Sequence, residues 1–170
     1  MCNKRKWKEL EAAGLAYFET GNFQRLDPSL KLDEQAELLP YDKEKEFSRR
    51  KLKIKETLSV GSYGKVVKAV ATRIVFYEKK LTVAVKVIKN QENNEMMKAS
   101  VSELKTMIHV WQHINLVNLL GANTENIRKR ELLLIMEYCR YGNLQDFLTK
   151  HRKYFVNQIR YGIIDPNIGR

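Results

Sequence analysis

Between Leu81 and Ile88 apolar residues occupy both sides of a strict alternation, with Leu81, Val83, Val85 and Val87 on one side and Ala84, Lys86 and Ile88 on the other. A period of two is the signature of a strand, and this one carries a single charge, a lysine among apolar neighbours. From Asn94 to Val110 the period changes, and Met97, Val101, Leu104 and Ile108 follow the 4-3-4 step of one helical face. Glu103 lies on the shoulder of that stripe, next to Met96, Ser100 and Met107. The two runs together predict a sheet with a helix packed across it, an α+β arrangement.

The flanking sequence supplies the remaining strands. Leu52, Ile54 and Leu58 alternate with Lys53, Lys55 and Thr57; the turn Gly61-Ser62-Tyr63-Gly64 follows, and Val66 to Val70 completes a hairpin. Two further strand-like runs, Leu116 to Leu120 and Leu132 to Met136, are separated by the charged loop Glu125 to Glu131. After Gly142, Asn143 is placed to cap a last helix carrying Leu144, Phe147 and Leu148 on one side. The predicted order is strand, strand, strand, helix, strand, strand, helix. From Met1 to about Arg49 the pattern is polar and irregular, interrupted by Gly14, Gly21, Pro28 and Pro40, and reads as a lead-in segment with order beginning near Lys51.

Composition narrows the functional classes. With 170 residues, 44% of them hydrophobic, the chain can bury one ordinary core and carry an extension. Thirty-one Lys and Arg against 20 Asp and Glu give a net charge of +11, which favours anionic partners. The basic residues are nevertheless scattered, in small clusters at Lys4-Arg5-Lys6, Arg49-Arg50-Lys51 and Arg128-Lys129-Arg130, whereas nucleic-acid binders concentrate them on one stripe. A basic nucleic-acid-binding domain is therefore the weakest rival, and steeply salt-dependent binding would mark it. Cys2 and Cys139 belong to no cluster with metal-ligand spacing and fit a reducing compartment. No apolar run approaches the roughly 18 residues of a membrane span, and the opening Met-Cys-Asn-Lys-Arg-Lys lacks a signal peptide's apolar core, so the chain taken alone reads as cytosolic.

Three features carry chemistry. Gly61 and Gly64 at a hairpin tip would let backbone N–H groups approach a phosphate chain closely. The turn leads into a strand instead of a helix, which excludes a dinucleotide-binding fingerprint, and G-x-x-x-x-G-K-[ST] is absent. Lys86, on an apolar strand face, needs a partner for its ammonium, and Glu103 one helix later is the natural counter-ion. Finally, the apolar run Leu132 to Met136 passes into Glu137-Tyr138-Cys139-Arg140-Tyr141-Gly142, a glycine-containing connection whose backbone could hydrogen-bond a flat heteroaromatic ring.

These residues resemble a known family. Leu58-Ser59-Val60-Gly61-Ser62-Tyr63-Gly64-Lys65-Val66 is similar to a protein-kinase Gly-rich loop, Val83-Ala84-Val85-Lys86 to its ATP-lysine motif, and Ser102-Glu103-Leu104-Lys105 to the helix bearing the partner glutamate. Leu39-Pro40-Tyr41-Asp42, Asn118-Leu119-Leu120-Gly121-Ala122 and Glu137 to Leu144 resemble, more narrowly, the split-domain receptor tyrosine kinases of the platelet-derived and vascular endothelial growth factor receptor group. The resemblance spans about Leu39 to Phe155.

It implies a kinase N-lobe, a five-stranded antiparallel sheet with one main helix, over residues 51–136. A juxtamembrane-like lead-in would occupy 1–50, the hinge and first C-lobe helix 137–155, and a kinase-insert-like tail 156–170. Leu58, Val66 and Ala84 would enclose the adenine of ATP, Gly61 and Gly64 would cover the phosphates, and Lys86, paired with Glu103, would hold the α and β phosphates. Met136 would be the gatekeeper, with hinge hydrogen bonds from the Glu137 carbonyl and the Cys139 amide. Tyr17 and Tyr41 are candidate regulatory phosphosites. Lys4, Arg5, Lys6 and Lys8 would suit contact with anionic lipid at the cytoplasmic flank of a transmembrane helix preceding Met1. The implied setting is the cytoplasmic side of the plasma membrane, in a single-pass receptor with protein tyrosine substrates and a receptor dimer partner.

The sequence departs from the family in two ways. Ser59 replaces the first loop glycine, which restricts the backbone there. No H-R-D-x-x-x-x-N, D-F-G or A-P-E motif occurs in the 170 residues; His151-Arg152-Lys153 has lysine where the base should stand. The resemblance thus implies the ATP-binding part of an enzyme that, as this chain alone, would lack the base and the ligands for Mg2+ and be inactive. The alternative reading is a non-catalytic truncated receptor or pseudokinase-like docking module.

Overall fold

The structure, a computed structural model, describes residues 15, 17–61, 64–88, 94–110 and 112–165. Cys2, the basic cluster at Lys4, Arg5, Lys6 and Lys8, and Ser62 and Tyr63 of the glycine turn lie outside the described residues. Two compact units divide the chain, one through Tyr138 and the other from Cys139 onward.

The first unit is built on a five-stranded antiparallel sheet: β1 (Leu52–Gly61), β2 (Gly64–Thr72), β3 (Lys80–Ile88), β4 (Leu119–Asn123) and β5 (Leu132–Glu137), in the spatial order β1-β2-β3-β5-β4. One helix, α1 (Asn94–His109), enters the chain between β3 and β4. The strands pair because their apolar residues cannot be buried singly, and the register fixes which side chains share a face. Val66 lies opposite Lys86, which lies opposite Leu134; Lys68 lies opposite Ala84, which lies opposite Met136.

Each face has its own apolar cluster. Val67, Ala69, Ala71, Val83, Val85, Val87, Leu133 and Ile135 gather with Phe47 and Leu52 on one side. On the other, Ile88, Leu132 and Leu134 meet Met97, Val101 and Leu104 of α1, joined by Leu15, Phe18 and Tyr41 from the lead-in. At about 25 cal/mol per Å², covering such side chains is the main term favouring this layer.

The described residues of the lead-in form no long element, but they are packed. Short 3-10 turns at Phe23–Arg25, Asp33–Leu38 and Lys43–Lys45 are joined by coil. Gln35 ties the loop together: its Nε2 donates to the carbonyls of Asp27 and Leu30, and its Oε1 accepts from the Asp27 N–H. Farther on, Glu46 bridges in parallel to Ala122 and the Phe47 N–H donates to the Ala122 carbonyl at 2.6 Å. The lead-in thereby covers the edge of β4, an exposed ladder that would otherwise invite foreign strands.

One strand is displaced from its predicted place. The run expected at Leu116 to Leu120 forms a strand only at Leu119–Asn123. Side-chain bonding claims the residues before it: the Asn118 Oδ1 accepts from the His113 N–H, the Asn118 Nδ2 donates to the His113 carbonyl, and the Asn115 N–H donates to His113 Nδ1. Asn and His hydrogen bonds of this kind compete with a ladder and hold the backbone in a turn.

The second unit contains α2 (Leu144–His151), a 3-10 turn at Arg152–Tyr154 and a short hairpin, β6 (Ile159–Arg160) with β7 (Ile163–Ile164). Asn143 caps α2, its Oδ1 accepting from the Asp146 N–H at 2.8 Å. Phe147 stacks on His151, with ring centroids 4.3 Å apart.

Candidate functional site: a lysine–glutamate pair below a glycine-tipped hairpin

Lys86 stands near the end of β3, between Val66 and Leu134. Its stem is flanked by apolar neighbours, so the ammonium must extend off the sheet to find a partner. It donates to both carboxylate oxygens of Glu103, at 2.8 and 2.6 Å. The side chains are 23% and 39% exposed, which leaves the pair open on one side to an incoming ligand. An ion pair that is partly open to solvent adds little to stability, so its position matters more than its energy.

The hairpin above β3 narrows to glycine. Gly61 pairs with Gly64 where β1 turns into β2. Gly64 has φ +125°, and a Cβ there would overlap the Val87 carbonyl oxygen, so the backbone of β2 can run this close to β3 only without a side chain. Gly61 differs, because a Cβ built on it meets, among the described residues, nothing nearer than the Gly64 carbonyl oxygen at 3.9 Å.

Of the other predicted site residues, Leu58, Val66, Ala84, Met136 and Glu137 fall on the same sheet. Ala84 is buried, Val66 and Met136 are half-buried, and all three share the Lys86 face. Leu58 sits in β1 at a shift of register between Thr57 and Ser59, and is 42% exposed. Glu137 ends β5, where its N–H donates to the Asn118 carbonyl and its carboxylate accepts from the N–H and Nδ2 of Asn118. Cys139 is an exposed thiol in the second unit.

The two tyrosines differ in environment. Tyr17 is 39% exposed. Tyr41 is buried, stacked on Phe18 at 4.8 Å, and donates its hydroxyl to Glu46 Oε2 at 2.8 Å. Burial first, then the Glu46 carboxylate, pushes its phenol far above the usual tyrosine range.

Two further lysines have no counterpart in the sequence reading. Lys68, on the same face as Lys86, donates to Glu56 Oε1 at 3.0 Å and lies 5.0 Å from the Tyr138 ring centroid. Its place two residues after Val66 on a period of two could have flagged it. Lys105, on α1, has no accessible surface. Its Nζ donates to the carbonyls of Glu37 (2.8 Å) and Tyr17 (3.3 Å) and lies over the Phe18 ring at 5.5 Å. Burial lowers its pKa to about 8 against an opposing pull from Glu37.

A five-stranded sheet with one helix, a strand lysine bound to a helix glutamate, and a neighbouring hairpin that narrows to glycine define the N-lobe of a protein kinase. A family model for protein tyrosine and serine/threonine kinases matches residues 52–164, and the chain belongs to that family. Within it the chain is similar to receptor tyrosine kinases. It is 45% identical over 133 residues to a vascular endothelial growth factor receptor kdr-like protein of Danio rerio, covering 77% of this chain and 10% of that protein. Human vascular endothelial growth factor receptor 1 is 45% identical over 136 residues, 78% of this chain and 10% of the receptor. The mast/stem cell growth factor receptor Kit of Takifugu rubripes is 37% identical over 151 residues, 89% of this chain and 14% of the receptor. The chain thus spans about a tenth of the length of the vascular endothelial growth factor receptors it matches. Among the described residues no helix is long and apolar enough to cross a membrane.

Proposed function

We propose that the first unit, through the start of the hinge, is the ATP-holding part of a receptor protein tyrosine kinase on the cytoplasmic side of the plasma membrane. The whole protein transfers the ATP γ-phosphate to protein tyrosine in growth-factor signalling and works with a receptor dimer partner. The observation that carries this reading is the Lys86–Glu103 contact, 2.6 Å at its shorter arm, between apolar neighbours on the sheet.

The fit of ATP rests on these side chains. Lys86, oriented by Glu103, holds the α and β phosphates. Gly61 and Gly64 give the phosphates a close backbone, and Leu58, Val66 and Ala84 enclose the adenine. Met136 is the gatekeeper, and the Glu137 carbonyl and Cys139 amide hydrogen-bond the ring. Phosphoryl transfer depends on positioning and charge stabilisation more than on covalent chemistry, so holding the nucleotide is a substantial share of the work. The family uses Mg2+ with ATP. The residues that would hold it belong to the H-R-D-x-x-x-x-N and D-F-G motifs, which do not occur in the 170 residues. Tyr17 is the accessible candidate phosphosite, whereas Tyr41 is modified only once the lead-in has lifted away. Lys4, Arg5, Lys6 and Lys8 are proposed to meet anionic lipid.

Titration with ATP, read by calorimetry, tests the reading. Lys86→Met removes a charge-assisted contact and should weaken affinity by about tenfold or more. Equal affinity in a folded Lys86→Met chain would sink the proposal.

A further inference from the structure

The helix carrying Glu103 packs its apolar side chains on the sheet, and its backbone also runs close beside the 3-10 turn Asp33–Leu38 of the lead-in. Its anchor on that side is Lys105. Residues two apart on a helix point roughly 200° away from each other, so Glu103 and Lys105 project from nearly opposite sides of α1. One reaches the sheet through Lys86; the other reaches the lead-in through the carbonyls of Tyr17 and Glu37. The helix is gripped between them.

We propose that Lys105 is a positioning residue for the nucleotide site: by pinning the lead-in to α1 it sets the height and rotation at which Glu103 meets Lys86. A buried amine seated on two backbone carbonyls and an aromatic face is a poor choice if packing alone were needed, since an apolar side chain would avoid the cost of desolvation. What the amine adds is direction. It can satisfy both carbonyls only when the Tyr17–Phe18 turn and the end of the 33–38 turn lie at fixed distances from the helix, and those carbonyls come from segments 20 residues apart in sequence. Losing the amine leaves both carbonyls without this partner and frees the helix to rock about its contact with the sheet. The ion pair, partly exposed and weak in itself, has little to resist that motion. The Lys86–Glu103 geometry is therefore borrowed from the lead-in.

The inference rests on the reading of Lys86 and Glu103 as the nucleotide pair, and the experiment separates the two. In the full chain, Lys105→Met keeps the volume and removes the donor. Acylation of lysines, followed residue by residue with mass spectrometry, reports the Lys86 ion pair without any nucleotide. Lys86 should acylate roughly fivefold faster in Lys105→Met, while amide exchange in β2, β3 and β5 stays at the wild-type rate. ATP affinity should fall by a similar factor, and this loss should vanish in a Glu103→Gln background, because Lys105 acts through Glu103. Phe18→Leu, which disturbs the other side of the same seat, serves as a second variant and should change Lys86 labelling in the same direction. Unchanged Lys86 labelling in both variants with the sheet intact overturns the inference, as does an equal loss of affinity with and without Glu103. Faster Lys86 labelling with no ATP binding in the wild-type chain upholds the positioning role and sinks the nucleotide reading instead.

Discussion

The sheet and the lead-in are held by different means. In the sheet every strand is stitched to a neighbour by backbone ladders, and the side chains fill a shape the backbone already defines. Among its described residues the lead-in has no such ladder; apart from the Glu46–Ala122 bridge these depend on a few polar side chains, Gln35, Tyr41, Glu46 and Lys105, around a small apolar seat. A ladder fails together, whereas a set of pins fails one at a time. The lead-in should therefore open as a local unit while the sheet remains folded.

A matched pair of glycine substitutions gives the largest expected effects. Gly64→Ala forces a Cβ into the Val87 carbonyl at a positive φ, inside the ladder joining β2 to β3. Strain and overlap together should cost about 3 kcal/mol or more and lower the thermal midpoint of the whole sheet. Gly21→Ala places its Cβ 2.7 Å from the Leu38 carbonyl and 2.8 Å from the Pro40 nitrogen, also at positive φ (+68°). The local insult is similar, but here hydrogen exchange should rise only between residues 17 and 46. A cooperative loss of the sheet in Gly21→Ala would show that the two regions are not separable.

Why the sheet was legible and the lead-in was not follows from the same contrast. Period-two alternation at Leu81–Ile88 and 4-3-4 spacing at Met97–Ile108 are consequences of burying one face of a regular element, so they can be read without knowing the neighbours. The Lys86–Glu103 contact was legible for a related reason: a lone charge on each of two apolar faces calls for a partner. Nothing periodic announces that Gln35 bridges Asp27 and Leu30, that Tyr41 is buried on Phe18, or that Lys105 is inaccessible. Lysine on a helix is ordinarily solvated, and only the carbonyls of Tyr17 and Glu37, 88 and 68 residues away in sequence, make this one otherwise. The start of β4 was misplaced for a comparable cause, since the bonds between His113 and Asn118 that shorten it belong to a turn and not to a pattern.

A smaller effect, confined to the lead-in, comes from pH. When the lead-in is released, Lys105 titrates near its ordinary 10.5; when docked, it titrates at about 8. Below pH 8 both forms are charged and docking bears the full cost of the buried ammonium. Between 8 and 10.5 the docked lysine gives up its proton first, so docking strengthens as pH rises, by at most about 1.4 kcal/mol per unit. Glu37, Arg25 and Lys98 line the same cavity, and Glu37 opposes the shift. Urea titrations followed by near-ultraviolet ellipticity should show the gain in the wild-type chain and lose it in Lys105→Met, while the far-ultraviolet transition of the sheet stays where it was. A gain of equal size in both chains would assign the effect to some other group.

Tyr41 supplies the opposite limb, and its substitution is the mildest of the changes. Its phenol is held well above 10 by burial and by Glu46, so below pH 10 it is neutral whether docked or released. Above pH 10 the released phenol ionises and the docked one does not, which favours release; docking is therefore lost as pH rises past 10. Tyr41→Phe keeps the stack on Phe18 but gives up the bond to Glu46 Oε2, which retains the Thr124 hydroxyl as a donor, while Oε1 keeps the Thr124 N–H. At neutral pH the loss should be about 1 kcal/mol, the net worth of one hydrogen bond whose acceptor is not orphaned. Above pH 10 the order should reverse, with the phenylalanine chain holding its lead-in longer than the wild type, because it has no phenol to ionise. If both chains release the lead-in at the same alkaline pH, Tyr41 is not a pin of the lead-in but a passenger in its apolar seat.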